Sequence, residues 1–200
     1  MKLNAAEKAL MNNPVRALVQ RYYEAPLLER LCGRVAGGRV LEIGCGQGVG
    51  SEIILTRFGA REIVAFDLDR DMVSRARRRL ARWGDRVRFE VGDATRIPAR
   101  DAHFDAVFDF GIIHHVPDWR QAIGEVSRVL RPGGRFCFEE VTRHGLDRPS
   151  YRVLFDHPQE DRFGVEDLVV ELERSGIVVG RTVERFFGDF VIGVGERVTP

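Results

Sequence analysis

Short apolar runs and longer amphipathic stretches alternate along most of this chain. Five of the apolar runs have the length and β-branched content of buried strands, and we predict strands at residues 39–43, 62–67, 87–91, 104–109 and 135–139. The stretches between them carry apolar residues at helical spacing, which predicts helices at residues 51–58, 70–83 and 119–130. This alternation is typical of a sheet of parallel strands joined by helices.

The last part of the chain departs from that alternation. A helix around Val165 to Leu172, ended by Gly176, leads to two apolar runs at residues 177–182 and 186–194. Only a short turn separates these runs, so we expect them to pair as an antiparallel hairpin. The whole pattern predicts a doubly wound α/β sheet, whose ligands bind where the parallel strands end.

Two segments lie outside the regular pattern. Residues 1–35 form an expected N-terminal helical cap, in which the helical spacing is interrupted at Pro14 and Pro26. Residues 142–163 are polar and predict a long excursion that would cover a substrate. No repeat, low-complexity stretch or flexible linker interrupts the rest, so we expect a single domain over residues 1–200.

Charge and composition narrow the classes of function. The 31 Lys and Arg residues nearly balance the 30 Asp and Glu residues. The net charge of the chain is therefore too small to attract nucleic acid or an anionic membrane. No apolar run approaches the roughly 20 residues of a spanning helix, and we find no signal-peptide core. We therefore expect a cytoplasmic protein with no membrane insertion. We interpret the three Cys residues as reduced thiols, and no Cys or His cluster has zinc-site spacing, so we expect no metal.

The most informative motif runs from Val40 to Gly48, where a predicted strand breaks into a loop with glycine at alternate positions. Alternate glycines let the backbone turn sharply and let a ligand approach the main chain. The dinucleotide pattern G-x-G-x-x-G fails from Gly44, because Val49 occupies its third glycine position, and the P-loop lysine is missing too. Glu42 adds a negative charge beside the loop, which disfavours a phosphate and favours a cationic ligand.

Two further strand ends carry acidic residues. Asp67 ends the second predicted strand, where a carboxylate can accept both hydroxyls of a ribose. Asp93 follows the third strand and can accept from the exocyclic amine of adenine, while Ala94 can offer its backbone N–H to a ring nitrogen. The structural alternatives are a helix cap for Asp67, although Asp69 is better placed for it, and a turn closed by Asp93. Together these positions predict a nucleoside whose third substituent passes over the glycine loop.

With these residues in place, the chain resembles the class I S-adenosylmethionine (SAM)-dependent methyltransferases, over about residues 36–141. The matching motifs follow the family order and lie at residues 40–48, 65–69, 92–94, 104–107, 114–118 and 130–134. The resemblance implies a Rossmann-like, doubly wound, seven-stranded sheet in the order 3-2-1-4-5-7-6, with strand 7 antiparallel and helices on both faces. It also implies SAM as the cofactor and S-adenosylhomocysteine as its product.

The resemblance implies a role for each matched position. Five positions would surround the methionyl and sulfonium groups of SAM: Glu42, Gly44, Cys45, Gly46 and Phe110. Four would hold the nucleoside, with Asp67 on the ribose, Leu68 against the adenine ring, and Asp93 and Ala94 along the adenine edge.

The candidate catalytic residues follow the fourth strand, where a methyl acceptor would approach. His114 and His115 stand there, and either imidazole could act as a general base near neutral pH. The structural alternative is a histidine that orders the loop. Glu139 and Glu140 end the fifth strand, where one could face the site, to bind a cationic acceptor or orient a histidine, or both could be solvated.

Three further features keep their alternatives open. Tyr22 and Tyr23 either close over SAM or simply pack the N-terminal helix. An arginine cluster could form a phosphate-binding surface or a solvated face, and the nearly balanced charge of the chain favours the solvated face. Its members are Arg75, Arg77, Arg78, Arg79, Arg82, Arg86 and Arg88. The polar excursion carries three unranked candidates for substrate contact: His144, His157 and Arg162.

Methyl transfer from a sulfonium displaces a leaving group that is already activated, so alignment matters more than a fixed set of catalytic groups. We therefore predict a SAM-dependent methyltransferase that acts on a small-molecule acceptor, with no nucleic-acid partner. An RNA or protein methyltransferase is the alternative, although the fourth strand ends in Asp109-Phe110-Gly111-Ile112 and lacks the Asp/Asn-Pro-Pro-aromatic motif of many base-amine methylases. A SAM-binding protein without transferase activity stays open, whereas Glu42 argues against a nicotinamide dehydrogenase. These motifs do not determine the acceptor or the oligomeric state.

Overall fold

The computed structural model describes residue 8, residues 12–148, residue 158 and residues 160–198. The strands in these residues are β1 Arg39–Ile43, β2 Glu62–Asp67, β3 Val87–Val91, β4 Phe104–Phe110, β5 Leu130–Val141, β6 Ile177–Arg185 and β7 Phe190–Arg197. They form one seven-stranded sheet in the order β3-β2-β1-β4-β5-β7-β6, which confirms the predicted topology. Strands β1 to β5 are parallel, and β7 is antiparallel to both β5 and β6.

The described helices are α1 Pro14–Val19, α2 Ala25–Cys32, α3 Val49–Ile53, α4 Arg70–Leu80, α5 Trp119–Val129, α6 Arg143–Leu146 and α7 Val165–Arg174. Asp69 caps α4 by accepting the N–H of Asp71 at 2.9 Å, and Asp118 caps α5 by accepting that of Gln121 at 3.2 Å. The side-chain amide of Gln121 donates to the carbonyl of Thr95 at 3.4 Å. No helix in the described part of the chain is long and apolar enough to cross a membrane.

The strands are buried on both faces, as parallel strands covered by helices must be. Along β1, Val40 packs into a cluster with α2, α3 and α4, whereas Leu41 and Ile43 pack into a second cluster with α5 and α7. On the first face, the rings of Phe58 and Phe108 meet edge to face at 4.7 Å. Each fully buried side chain of this kind stabilises the fold by about 1.5–3 kcal/mol.

The predicted interruption at Pro26 is wrong. A π-helical turn over Gln20–Glu24 joins α1 to α2, so residues 14–32 are helical throughout. In this wider turn, the N–H of Ala25 donates to the carbonyl of Gln20, and Pro26 enters the first turn of α2, where its missing N–H costs little. Residues 1–7 and 9–11 of the predicted cap lie outside the described residues.

Two predicted boundaries near the middle of the chain are also wrong. Helix α4 ends at Leu80, and a 3-10 turn over Ala81–Arg86 replaces its expected last turn. Strand β5 begins at Leu130, because residues 131–134 form an irregular bulge inside the strand rather than a turn before it. The glycines in both segments adopt conformations that continue neither a regular helix nor a regular ladder.

The closing hairpin turns later than predicted. Phe186 and Phe187, which we assigned to the last strand, have φ angles of 52° and 60° and form the turn itself. Strand β7 therefore begins at Phe190. Alternating apolar residues predicted a strand here. Tight hairpin turns need residues with positive φ angles, however, and in this chain two phenylalanines adopt them.

The polar excursion is partly described. His144 in α6 lies 2.7 Å from a carboxylate oxygen of Asp189, and Arg162 donates to the carbonyl of Pro158 at 2.7 Å. His144 therefore attaches the excursion to the closing hairpin, and Arg162 joins two parts of the excursion to each other. Residues 149–157 and 159, including the candidate His157, lie outside the described residues.

Candidate active site

A cavity opens at the carboxyl edge of the central strands, where a doubly wound sheet binds its ligands. About 1110 Å³ of space not filled by protein atoms lies between its walls, open solvent at its mouth included. Nine of the residues that we predicted from the sequence line it: Glu42, Gly44, Cys45, Gly46, Asp67, Leu68, Ala94, Phe110 and His115. Two predicted residues, Asp93 and His114, do not.

The glycine loop is folded tightly around its own neighbours. Gly44 has a φ of 69°, and a Cβ there would lie 2.1 Å from Cγ1 of Ile112. A Cβ on Gly50, in the helix that follows, would lie 2.0 Å from a carboxylate oxygen of Glu42. Since real Cβ atoms do not approach other atoms so closely, these positions need glycine to bring the strand, loop and helix together.

Glu42 is a buried acid at the floor of the cavity. Its residue is 1% exposed, and the Ser51 hydroxyl donates a hydrogen bond to it. Burial raises the pKa of Glu42 to about 8, and the nearby charge of Asp67 adds to that rise. A cationic ligand beside Glu42 would favour the ionised form. The expected preference of Glu42 for a cation stays a prediction.

Asp67 lines the cavity, and its contact with the ribose stays a prediction. Its Oδ2 accepts the N–H of Gly46 at 2.9 Å, and its Oδ1 accepts the N–H of Asp69 at 2.8 Å. Burial raises the pKa of Asp67, and these two bonds oppose that rise. Leu68 beside it is 37% exposed and lines the cavity, so an apolar ring can lie against it.

Asp93 closes a turn. Its Oδ1 accepts from the backbone N–H of Thr95 at 2.9 Å and from the Thr95 hydroxyl at 2.8 Å, and the residue is exposed. Its neighbours Gly92 and Ala94 line the cavity. The geometry thus matches the structural alternative for Asp93, and its contact with adenine stays a prediction.

The N-terminal helix lines the cavity with residues that the sequence did not lead us to predict. Arg16, Ala17 and Gln20 face the cavity, whereas Tyr22 and Tyr23 are 71% and 48% exposed and do not line it. The spacing of Arg16 and Gln20, four residues apart on one helix face, was the available signal. It could not be recognised because nothing in the sequence shows which face of the helix meets the sheet.

The two glutamates at the end of β5 are buried, and the solvated alternative is wrong. Glu139 is 7% exposed and lies 3.1 Å from the guanidinium of Arg16, while Glu140 is 1% exposed and contacts the loop after β4. Burial, and then the charge of Glu24, raises the pKa of Glu139. Neither glutamate lines the cavity, so both act on it through the groups they hold.

The arginine cluster is exposed and largely engaged within the chain. Arg77 donates to the carbonyl of Phe89 at 2.6 Å, and Arg86 donates to that of Ala60 at 2.8 Å. Arg82 pairs with Glu52. These contacts fit the interpretation as a solvated face. Among the described residues, no group of three His, Cys, Asp or Glu side chains could hold a metal ion.

Residues 40–134 match the family model of a methyltransferase domain. A Mycolicibacterium smegmatis protein, named a probable S-adenosylmethionine-dependent methyltransferase, is 35% identical over 164 residues, which cover 80% of this chain and 60% of that protein. The fatty-acid O-methyltransferase of the same organism is 38% identical over 125 residues, which cover 62% of this chain and 44% of that protein. A SAM-dependent methyltransferase from Aquifex aeolicus shares the fold, with a TM-score of 0.77, 22% identity and coverage of 99% of this chain and 100% of that one.

The chain therefore belongs to the class I SAM-dependent methyltransferases, and SAM is the cofactor that this family and fold imply. The predicted family, fold and cofactor are confirmed. The described site fits that cofactor, because Asp67, the glycine loop and the buried Glu42, which we predict to bind it, lie together in one cavity. The chain spans about half the length of the two Mycolicibacterium smegmatis relatives that it matches.

Proposed function

We propose that this chain is an enzyme that transfers a methyl group from SAM to a small-molecule acceptor. The observation that best supports this is the order of the cavity walls across the sheet. Strands β3 and β2 bring Ala94 and Asp67, β1 brings the glycine loop, and β4 brings His115. The nucleoside would thus lie over β3 and β2, the methionyl group over β1, and the acceptor beyond it over β4.

The enclosure of the cavity supports a small acceptor. Helix α1 lies across it, and Arg16 of that helix pairs with both Glu24 and Glu139. Because two carboxylates hold this helix across the cavity, the site suits a small molecule better than a folded RNA or protein. The fatty-acid O-methyltransferase among the relatives acts, by its name, on a small acceptor as well.

SAM would supply a methyl group on a positively charged sulfur: the acceptor atom bonds to the methyl carbon as the carbon–sulfur bond breaks, and that electron pair stays on sulfur. The residues of the chain would align the acceptor, exclude water and keep charge balanced. Alignment alone can supply roughly 7–11 kcal/mol. Where the acceptor atom carries a proton, His115 is placed to take it, because its ring lines the cavity after β4.

The test is calorimetric titration with SAM and S-adenosylhomocysteine, followed by methyl transfer to a panel of acceptors. The panel holds fatty acids, phenols and amines, a purified RNA pool and a protein extract. We expect both adenosyl ligands to bind with micromolar affinity and radiolabel to reach a small molecule. Label in RNA or protein alone would contradict the proposed acceptor class. Binding without transfer to any acceptor would favour a SAM-binding protein.

A further inference from the structure

We propose that Glu140 is a positioning residue that sets His115 against the acceptor by holding the main chain of the loop after β4. This inference rests on the proposed function, because it assumes that His115 meets the acceptor. Glu140 itself lies outside the cavity lining, on the face of β5 that packs beneath this loop.

The carboxylate of Glu140 accepts hydrogen bonds from the backbone of the loop after β4. Its Oε1 accepts the N–H of Ile112 at 3.0 Å and that of Ile113 at 2.6 Å. Its Oε2 accepts the N–H of His114 at 3.2 Å and lies 2.5 Å from the Nδ1 of the same residue. Three consecutive amides and an imidazole thus converge on one buried side chain, immediately before His115.

Glu140 lies beside a second buried acid. Asp109, at the end of β4, is fully buried, and burial together with the charge of Glu140 raises its pKa well above the usual range. The raised pKa favours the protonated form of Asp109 beside Glu140. Burial raises the pKa of Glu140, and the interaction with Asp109 and the amides of Ile113, His114 and Ile112 oppose that rise.

Three residues of the loop line the cavity: Ile112, His115 and Val116. Ile112 packs against Gly44 of the glycine loop, and His115 is the next cavity residue along the chain. The His115 and His114 rings are 4.2 Å apart, so the ring that touches Glu140 also borders the ring in the cavity. Without Glu140, three amides would be buried with weaker partners, and the loop would lose the conformation that places His115.

The test compares Glu140→Gln with the wild type. The glutamine keeps one oxygen for Ile112 and Ile113, but it presents an NH₂ group to the amide of His114. We expect SAM affinity to stay within about threefold of wild type, because the nucleoside wall does not touch Glu140. We expect kcat to fall at least about tenfold, a loss within the range of misplaced acid–base groups. Asp105→Asn is the matched control: its carboxylate also accepts a backbone amide, from Arg39 at 2.6 Å, but at the opposite edge of the sheet.

A double-mutant cycle separates positioning from a general structural effect. If Glu140 acts through His115, the variant carrying both Glu140→Gln and His115→Ala is no slower than His115→Ala alone. Losses that multiply would overturn the proposal. So would a wild-type kcat in Glu140→Gln, or a loss of SAM affinity as large as the loss of kcat. If Glu140→Gln does not fold, Glu140→Asp, whose carboxylate cannot reach the loop, replaces it.

A spectroscopic measurement keeps the proposal separate from the proposed function. In the S-adenosylhomocysteine complex, the ring protons of His115 are titrated by NMR in wild type and variant, which needs no acceptor. We expect the His115 titration and ring shifts to change in Glu140→Gln and not in Asp105→Asn. In the wild type, we expect through-hydrogen-bond coupling between the Ile113 amide nitrogen and the Glu140 carboxyl carbon. An unchanged His115 or an absent coupling would refute the positioning role even if no acceptor were known.

Discussion

Gly46 donates its backbone N–H to Asp67 at 2.9 Å, and this bond joins the loop after β1 to the end of β2. The other carboxylate oxygen of Asp67 accepts the N–H of Asp69 at 2.8 Å. The carboxylate is thus oriented by the fold before any ligand arrives. Each oxygen keeps further lone pairs for a ribose hydroxyl.

Replacing Asp67 by alanine should therefore weaken SAM binding by about 1–3 kcal/mol, through the loss of charged hydrogen bonds. The measurement is calorimetric titration with SAM. Asp71→Ala is the control, because Asp71 is an exposed acid at the start of the helix that follows. Wild-type affinity in Asp67→Ala would refute the assignment to the ribose.

Two glycine-to-alanine substitutions should change the stability of the protein in opposite directions. Gly50→Ala places a Cβ 2.0 Å from Glu42, so we expect lower stability and weaker SAM binding. Gly124→Ala lies in α5 with nothing within 4 Å of its new Cβ and should stabilise the protein by about 0.5–1 kcal/mol. Urea denaturation and SAM titration of both variants make the comparison. Equal stabilities for the two would show that the Gly50 contact relaxes at no cost.

Glu42 should make stability depend on pH. In the unfolded chain its carboxyl ionises near 4.5, whereas burial in the fold raises its pKa to about 8. Between these values the folded protein keeps a proton that the unfolded chain has lost, so this group lowers the free energy of unfolding as pH rises through that window. Glu42→Gln removes the dependence. Its free energy of unfolding relative to wild type should increase from the lower to the upper end of the window, and a constant difference would contradict the assignment.

The adjacent histidines should give opposite results when replaced by alanine. His114 lies outside the cavity and contacts Glu140, so His114→Ala should keep SAM affinity and lower stability by about 1–3 kcal/mol. His115 lines the cavity, so His115→Ala should keep stability and lower kcat by about 10²–10⁴-fold for an acceptor that loses a proton. Thermal melts and steady-state kinetics test both. A large loss of SAM affinity in His114→Ala would instead make it a cofactor residue.

The sequence predicted the cofactor wall because its chemistry depends on local order along the chain. Glu42, the glycine loop and Asp67 all stand at strand ends, and parallel strands bring such ends to one edge of a sheet. Their mutual arrangement followed once the strands were assigned correctly. The order of the sheet and its antiparallel strand came from the family resemblance and the short closing turn.

The contacts of the N-terminal helix and of the two glutamates on β5 could not be predicted because they join distant segments. Arg16 reaches the cavity only because helix α1 crosses the sheet, and Glu139 and Glu140 separate according to the face of β5 on which each lies. The misplaced boundaries at Pro26 and Phe186 have a local cause. In both cases the backbone adopted a less common conformation, a π-helical turn and a positive φ, that residue preferences disfavour.

Glu139 and Glu140 are consecutive on β5 and therefore point to opposite faces of the sheet. One attaches helix α1 through Arg16, and the other attaches the loop that carries His115. The two walls that we propose to border the acceptor are thus both attached to β5. With the acceptor between these walls, as we propose, we expect a change in acceptor size to depend on the side chains that face the gap.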